Sequence, residues 1–169
     1  PARAQAVILL FQHGGPSQMD LFDPKPALTA HAGQPYPGQL EVHFHKQQGS
    51  LLASPFRFAP AGEAGSELSE LLPHTAGIVD ELTLIRSMTT ESVDHAASLR
   101  LIHTGKIQPG RPAWPAWALY GLGHEAENLP AYVVLPDPAG LPIDGVKNWS
   151  SGWLPAAYQG VPFRSGPAP

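Results

Sequence analysis

Ala6-Val7-Ile8-Leu9-Leu10-Phe11-Gln12-His13-Gly14-Gly15-Pro16-Ser17 is the stretch on which the reading of the fold turns. Ala6 to Phe11 is an unbroken apolar run, too short for a free-standing helix. It predicts a strand buried on both faces, the mark of a parallel sheet. Gly14-Gly15-Pro16 stops it. Working outward, Leu82–Met88 predicts a second strand and Ala131–Leu135 a third, stopped by Pro136. A further strand at Leu40–Phe44 is expected inside the long Gly/Gln/Pro excursion 32–54. Helices are expected at Ala27–His31, Ser69–Val79, Asp94–His103 (closed by Gly105) and Arg111–Tyr120 (ended by Gly121 and Gly123). That rhythm predicts an α/β fold: an open, mostly parallel sheet with flanking helices in one domain over 1–169. Ligands of such sheets bind beyond the carboxyl ends of the strands, here at His13–Ser17, Thr89–His95 and Pro136–Gly145.

Composition narrows the function classes. The net charge is −4 and only 14% of residues are charged, which argues against capture of nucleic acid or of an anionic membrane. No stretch approaches the roughly 20 apolar residues of a membrane span. The 169 residues hold 20 prolines and 17 glycines, spread among apolar segments, so long determined loops are expected rather than disorder. Cysteine is absent, which excludes disulfides, thiolate metal sites and a cysteine nucleophile. The opening Pro1-Ala2-Arg3 fits a mature chain or a domain edge, and the Gly/Pro/Ser tail at 162–169 is expected to be a disordered end of a truncated sequence.

Two clusters could carry chemistry. In the first, the paired Gly14 and Gly15 let the backbone turn its N–H groups toward an oxyanion. Ser17 adds a hydroxyl, and His13 and Asp20 could ligate a metal; the plainer reading is a tight turn with Ser17 and Asp20 as local caps. In the second, Asp94-His95 opens a helix, whose N-terminal amides and dipole favour an anion. Asp94 is read as the N-cap or a catalytic carboxylate. The dipole would favour the neutral form of His95, as suits a ligand or nucleophile. Arg86 and Arg100 are candidates to clamp an anion. His43 and His45 share a strand face but read better as a solvated strand. A Trp149/Trp153 wall for a sugar ring is weighed against core packing.

Gly14-Gly15-Pro16-Ser17-Gln18-Met19-Asp20-Leu21-Phe22-Asp23-Pro24-Lys25-Pro26 resembles the opening signature of a bacterial family, domain-of-unknown-function family 1501. Four later segments resemble it in the same order: Ser69-Glu70-Leu71-Leu72-Pro73-His74, Ile85-Arg86-Ser87-Met88, Asn148-Trp149-Ser150-Ser151-Gly152 and Leu154-Pro155-Ala156-Ala157-Tyr158-Gln159-Gly160. The resemblance implies a sulfatase-like, alkaline-phosphatase-like fold, export to the periplasm or cell surface, and a longer chain with further metal-binding motifs toward the C-terminus. It aligns His13 with a metal-ligand aspartate and His95 with the nucleophile, and both positions depart from that pattern.

The expected function is therefore metal-dependent hydrolysis of phosphate or sulfate esters, with this chain carrying part of the site. His95, Asp94 and Arg86 are the expected catalytic residues; Gly14, Gly15, Ser17 and Arg100 bind substrate; His13 and Asp20 hold a divalent metal of zinc or calcium type. The expected partners are a small or polymeric anionic ester and the missing C-terminal part of the domain. The alternative is a non-catalytic cell-surface protein of the same fold that binds an anionic glycan or a protein.

Overall fold

In the computed structural model, residues 4–38, 49–125 and 127–163 are described. The expected strand at Leu40–Phe44 and the pair His43/His45 lie outside them, as do residues 164–169 of the expected tail. The described residues mix short helices with two small sheets and fall into two compact units, Pro1–Met88 and Thr89–Pro169.

The first unit is built on a hairpin. Strand β1 (Phe58–Ala61) pairs antiparallel with β2 (Ser66–Ser69), Phe58 opposite Ser69 and Ala61 opposite Ser66. The connecting turn holds positive φ at Gly62 (70°) and Gly65 (66°). Asp80, on a 3-10 turn at Val79–Glu81, accepts the Glu63 amide at 2.9 Å. A Cβ on Gly62 would strike Asp80 Oδ1 and lie 2.6 Å from Val79 Cγ1, so glycine is required there by space as well as by φ. At the open end of the hairpin the Arg57 guanidinium donates to Glu70 Oε2 at 2.7 and 2.9 Å. That hydrogen bond, more than the charge itself, holds the Glu70 carboxyl below its ordinary pKa. Leu68 and Val79 are the buried apolar residues among those described in this unit. Two short helices, α1 (Gln18–Leu21) and α2 (Pro26–Ala30), precede the hairpin, and α3 (Pro73–Ala76) follows it.

Three expectations for this unit need correction. Ala6–Phe11 forms no strand and belongs to neither sheet; Ile8 is 84% and Leu10 87% exposed. Leu82–Met88 is likewise unpaired, with Ile85 at 65%. An apolar run becomes a buried strand only where neighbouring strands satisfy its backbone and cover its faces, and no described strand does so for either run. The helix expected at Ser69–Val79 is cut to α3. Pro73 has no amide to donate and its ring excludes a helical turn before it, while Ser69 is already committed to β2.

In the second unit, helix α4 (His95–Thr104) and helix α5 (Trp114–Leu122) precede strand β3 (Val133–Val134). Strand β3 pairs parallel with β4 (Val161–Pro162), and Phe163 N donates to Val134 O at 2.8 Å. Pro162 and Phe163, expected in the tail, are thus held against β3. This two-residue ladder is the parallel pairing among the described residues, far smaller than the open sheet expected. Burial pushes the Tyr132 phenol, beside β3, up to about 12.

The core of this unit gathers Leu99 and His103 of α4, Pro112, Ala113 and Ala116 around α5, and Trp149. Trp149 ends a 3-10 turn, Gly145–Trp149, against which α4 packs. Asn148 in the same turn donates to Ile143 O at 2.8 Å and Gly145 O at 3.0 Å. Burial lowers the pKa of His103 below its ordinary value. A depressed histidine contributes stability that is full above the unfolded pKa, about 6.5, and is lost as pH falls toward the folded value. Thermal denaturation should accordingly show this unit weakening below about pH 6.5, with the slope flattened in His103→Gln. An unchanged slope in that variant would count against neutral burial of His103.

Candidate functional site

Helix α4 is positioned by its own sequence. Asp94 is the N-cap, its Oδ1 accepting the Ala97 amide at 2.8 Å, and Ser92 Oγ accepts the Asp94 amide at 3.1 Å. Ser98 Oγ returns to Ser92 O at 2.7 Å, which ties the entering loop to the first turns. At the far end Gly105 takes the left-handed conformation (φ 74°) and its amide bonds Leu101 O at 2.8 Å. These caps leave the His95 and Ala96 amides with no hydrogen bond among the described residues, and the His95 side chain exposed. The start of this 10-residue helix thus offers free donors, a favourable dipole and an imidazole within one turn.

Arg100, one and a half turns further along, is engaged. Its Nε donates to Ile107 O at 2.7 Å and its Nη1 forms a short ion pair with Asp144. Both side chains are largely enclosed, at 16% and 9% exposure. Asp144 sits at φ 71°, a left-handed residue just before Gly145, and Lys147 Nζ reaches it at 3.5 Å. Burial alone would raise the Asp144 pKa. The Arg100 hydrogen bond and charge, helped by Lys147, outweigh it and hold the carboxylate below its usual range. Beside this pair lies a hollow of about 250 Å³ lined by Arg100, Thr104, Arg111, Lys147 and Ser150 among others.

The remaining expected residues lie in the first unit. His13, Gly14 and Gly15 are exposed, with positive φ at Gly14 (108°) and Gly15 (69°). Nothing lies within 4 Å of where a Cβ would stand on either glycine, so the turn is open to a ligand but is not shaped by close packing. Ser17 is the N-cap residue of α1 and makes no side-chain cap bond; Asp20 is half-buried within α1. Arg86 donates to Glu67 O at 3.4 Å at the lip of an open hollow of about 470 Å³ beside β2. No group of three or more His, Asp or Glu able to hold a metal ion occurs among the described residues.

Asp144, Lys147 and Arg111 were not singled out from the sequence. The available signal was the Asp144-Gly145 dipeptide, a turn pair prone to left-handed backbone, inside a loop already expected at a strand's carboxyl end. Of the two readings weighed for Trp149 and Trp153, core packing holds for Trp149 and the shared wall does not form. Trp149 is 5% exposed in the core, with its carbonyl accepting the Gly160 amide at 3.0 Å, whereas Trp153 is 59% exposed. The segments Asn148–Gly152 and Leu154–Gly160 are thereby largely structural: Ser150 O accepts the Ala113 amide at 2.9 Å and Gln159 Oε1 the Ser151 amide at 2.9 Å.

The fold and site define a small mixed helix-and-strand protein with an open helix start and an enclosed arginine–aspartate pair. The chain belongs to the family described as "Protein of unknown function (DUF1501)", whose model matches residues 4–169. No curated protein and no solved structure matches it. Among the described residues no helix is long and apolar enough to cross a membrane.

Proposed function

We propose that the chain carries part of the site of an exported, sulfatase-like hydrolase of phosphate or sulfate esters, at the periplasm or cell surface, with His95 as its reacting group. The observation that carries this reading is the first turn of α4, where two unbonded amides, the helix dipole and an exposed imidazole coincide. The amides of His95 and Ala96 hold oxygens of the anion. A ring nitrogen of His95 attacks phosphorus or sulfur, the ester oxygen bond breaks, and the departing alcohol takes a proton from solvent. Water then cleaves the His95 bond, releases phosphate or sulfate and restores the imidazole. Asp94 fixes the helix start through Ala97 rather than exchanging protons. In the first unit, Gly14, Gly15 and Ser17 are proposed to hold anion oxygens on their own amides, and Arg86 to pair with an anion at its hollow.

The family resemblance also implies an open alkaline-phosphatase-like sheet and a divalent metal of zinc or calcium type. His13 and Asp20 are the proposed ligands of that metal on this chain. The steps above use the chain's own groups. Release of phosphate and of sulfate from aryl esters by the natural polypeptide is the test. Hydrolysis falling at least about 100-fold in His95→Ala supports the reading; hydrolysis unchanged by that substitution refutes it. The alternative, a non-catalytic binder of an anionic glycan, draws on the exposed aromatic residues beside Arg111.

A further inference from the structure

Four aromatic side chains of the second unit form a row. The ring centroids of Trp153 and Trp117 are 6.2 Å apart, those of Trp117 and Tyr120 6.0 Å, and those of Tyr120 and Tyr158 5.5 Å. Each pair meets edge to face, at 74°, 82° and 83°. Such contacts stiffen the row without covering it, and Trp153, Tyr120 and Trp117 remain 59%, 55% and 43% exposed. Arg111 joins the row to the hollow described above. Its Cζ lies 5.5 Å from the Trp153 ring centroid, and the same residue lines the hollow with Arg100 and Lys147.

From this continuity we infer a binding surface for an acidic saccharide, with pyranose rings lying on Trp153 and Trp117 and a sulfate or carboxylate group entering the hollow beside Arg111 and Lys147. Apolar C–H faces of a sugar suit rigid aromatic rings, whose amphipathic edges tolerate the hydroxyls. Charge chooses the acidic class. Three cations line the hollow, and among the described residues Asp144 is the one carboxylate paired with any of them, with Arg100 and Lys147. Arg111 forms no ion pair among the described residues, so its donors are open to a ligand. Nucleobases are a poorer fit, because a perpendicular row offers few parallel plates for stacked bases. This surface is separate from the reacting group proposed at His95 and needs no hydrolysis.

The test is titration of the natural polypeptide, followed by tryptophan fluorescence and calorimetry. The probes are a sulfated galactan oligosaccharide, a polygalacturonate oligosaccharide, a neutral galactan of equal length and an oligodeoxythymidine. At least one acidic saccharide should bind at least about tenfold tighter than the neutral one, a preference that added salt reduces. Which of the two binds tells sulfate from carboxylate. Trp153→Ala should weaken binding about tenfold and Trp153→Phe less, while Arg111→Gln should abolish the preference for acid over neutral sugar. Trp153 is mostly exposed, so its loss leaves the buried core intact. Equal binding of neutral and acidic sugars, no binding of either acidic one, tighter binding of the DNA, or indifference to Trp153→Ala would each overturn the inference. Saccharide binding and aryl-ester cleavage are read separately, so the failure of either leaves the other standing.

Discussion

Arg100→Met should be among the most destabilising single substitutions in the second unit, at about 3 kcal/mol or on the order of 10 °C in Tm. Asp144 is 9% exposed and Arg100 is its main partner, so removing the guanidinium strands a carboxylate in a poorly solvated place. Lys147, at 3.5 Å and 60% exposed, is too loosely held to replace it. The Ile107 carbonyl loses its donor as well. Asp144→Asn keeps a residue that tolerates φ 71° and removes the charge. The double variant Arg100→Met/Asp144→Asn should therefore be more stable than Arg100→Met alone, because no unpaired charge remains. The pH dependence has a fixed sign. With its pKa held below the usual range, Asp144 contributes stability that is complete above about pH 4 and lost as pH falls through the folded value. The gap between wild type and Arg100→Met should be full at pH 7 and narrow in acid. A double variant no more stable than the single one would contradict the enclosed ion pair.

Gly152→Ala should cost at least as much, about 3–5 kcal/mol, through the backbone. Gly152 has φ 57°, and a Cβ there would stand 2.5 Å from Pro112 N, 2.6 Å from Arg111 C and 2.7 Å from Gly110 O. All three are main-chain atoms, and Pro112 is fully buried, so no rotamer change relieves the contact. The substitution pushes apart the segment that leads into α5 and the Ser150–Ala113 hydrogen bond beside it. Gly15→Ala makes the contrast. Its φ is 69° but its surroundings are open, so only the left-handed penalty of about 1–2 kcal/mol applies. Denaturant titration of both variants should give Gly152→Ala the clearly larger loss; equal losses would show that the packing at Gly152 is not as close as described.

What was legible in the sequence follows how local each determinant is. Helix α4 was readable almost to the residue, because its cap Asp94 and its left-handed Gly105 act within one turn of it. The β1–β2 hairpin was not. Phe58-Ala59-Pro60-Ala61 lacks β-branched alternation and contains a proline, and the pairing leans on Arg57–Glu70 and Asp80, 13 and 17 residues distant. Ala6–Phe11 and Leu82–Met88 misled for the opposite reason. Their composition asks for a buried strand, yet burial depends on neighbours that the described chain does not place around them. The place of His95 in the first turn of α4 was visible from helix chemistry alone. The Arg100–Asp144 pair spans 44 positions and could not be read from spacing, and the aromatic row draws on Trp117, Tyr120, Trp153 and Tyr158, which come together only through the turns after β3.

On the function proposed above, the open start of α4 presents His95 to an anionic ester. Single-turnover hydrolysis of an aryl phosphate and an aryl sulfate by the natural polypeptide and its His95→Ala variant measures this most directly, with acid-quenched protein examined for a modified histidine. Release should fall at least about 100-fold in the variant, with a transient phosphoryl or sulfuryl group on His95 in the wild type. Equal release from both proteins, or no release from either, would contradict it.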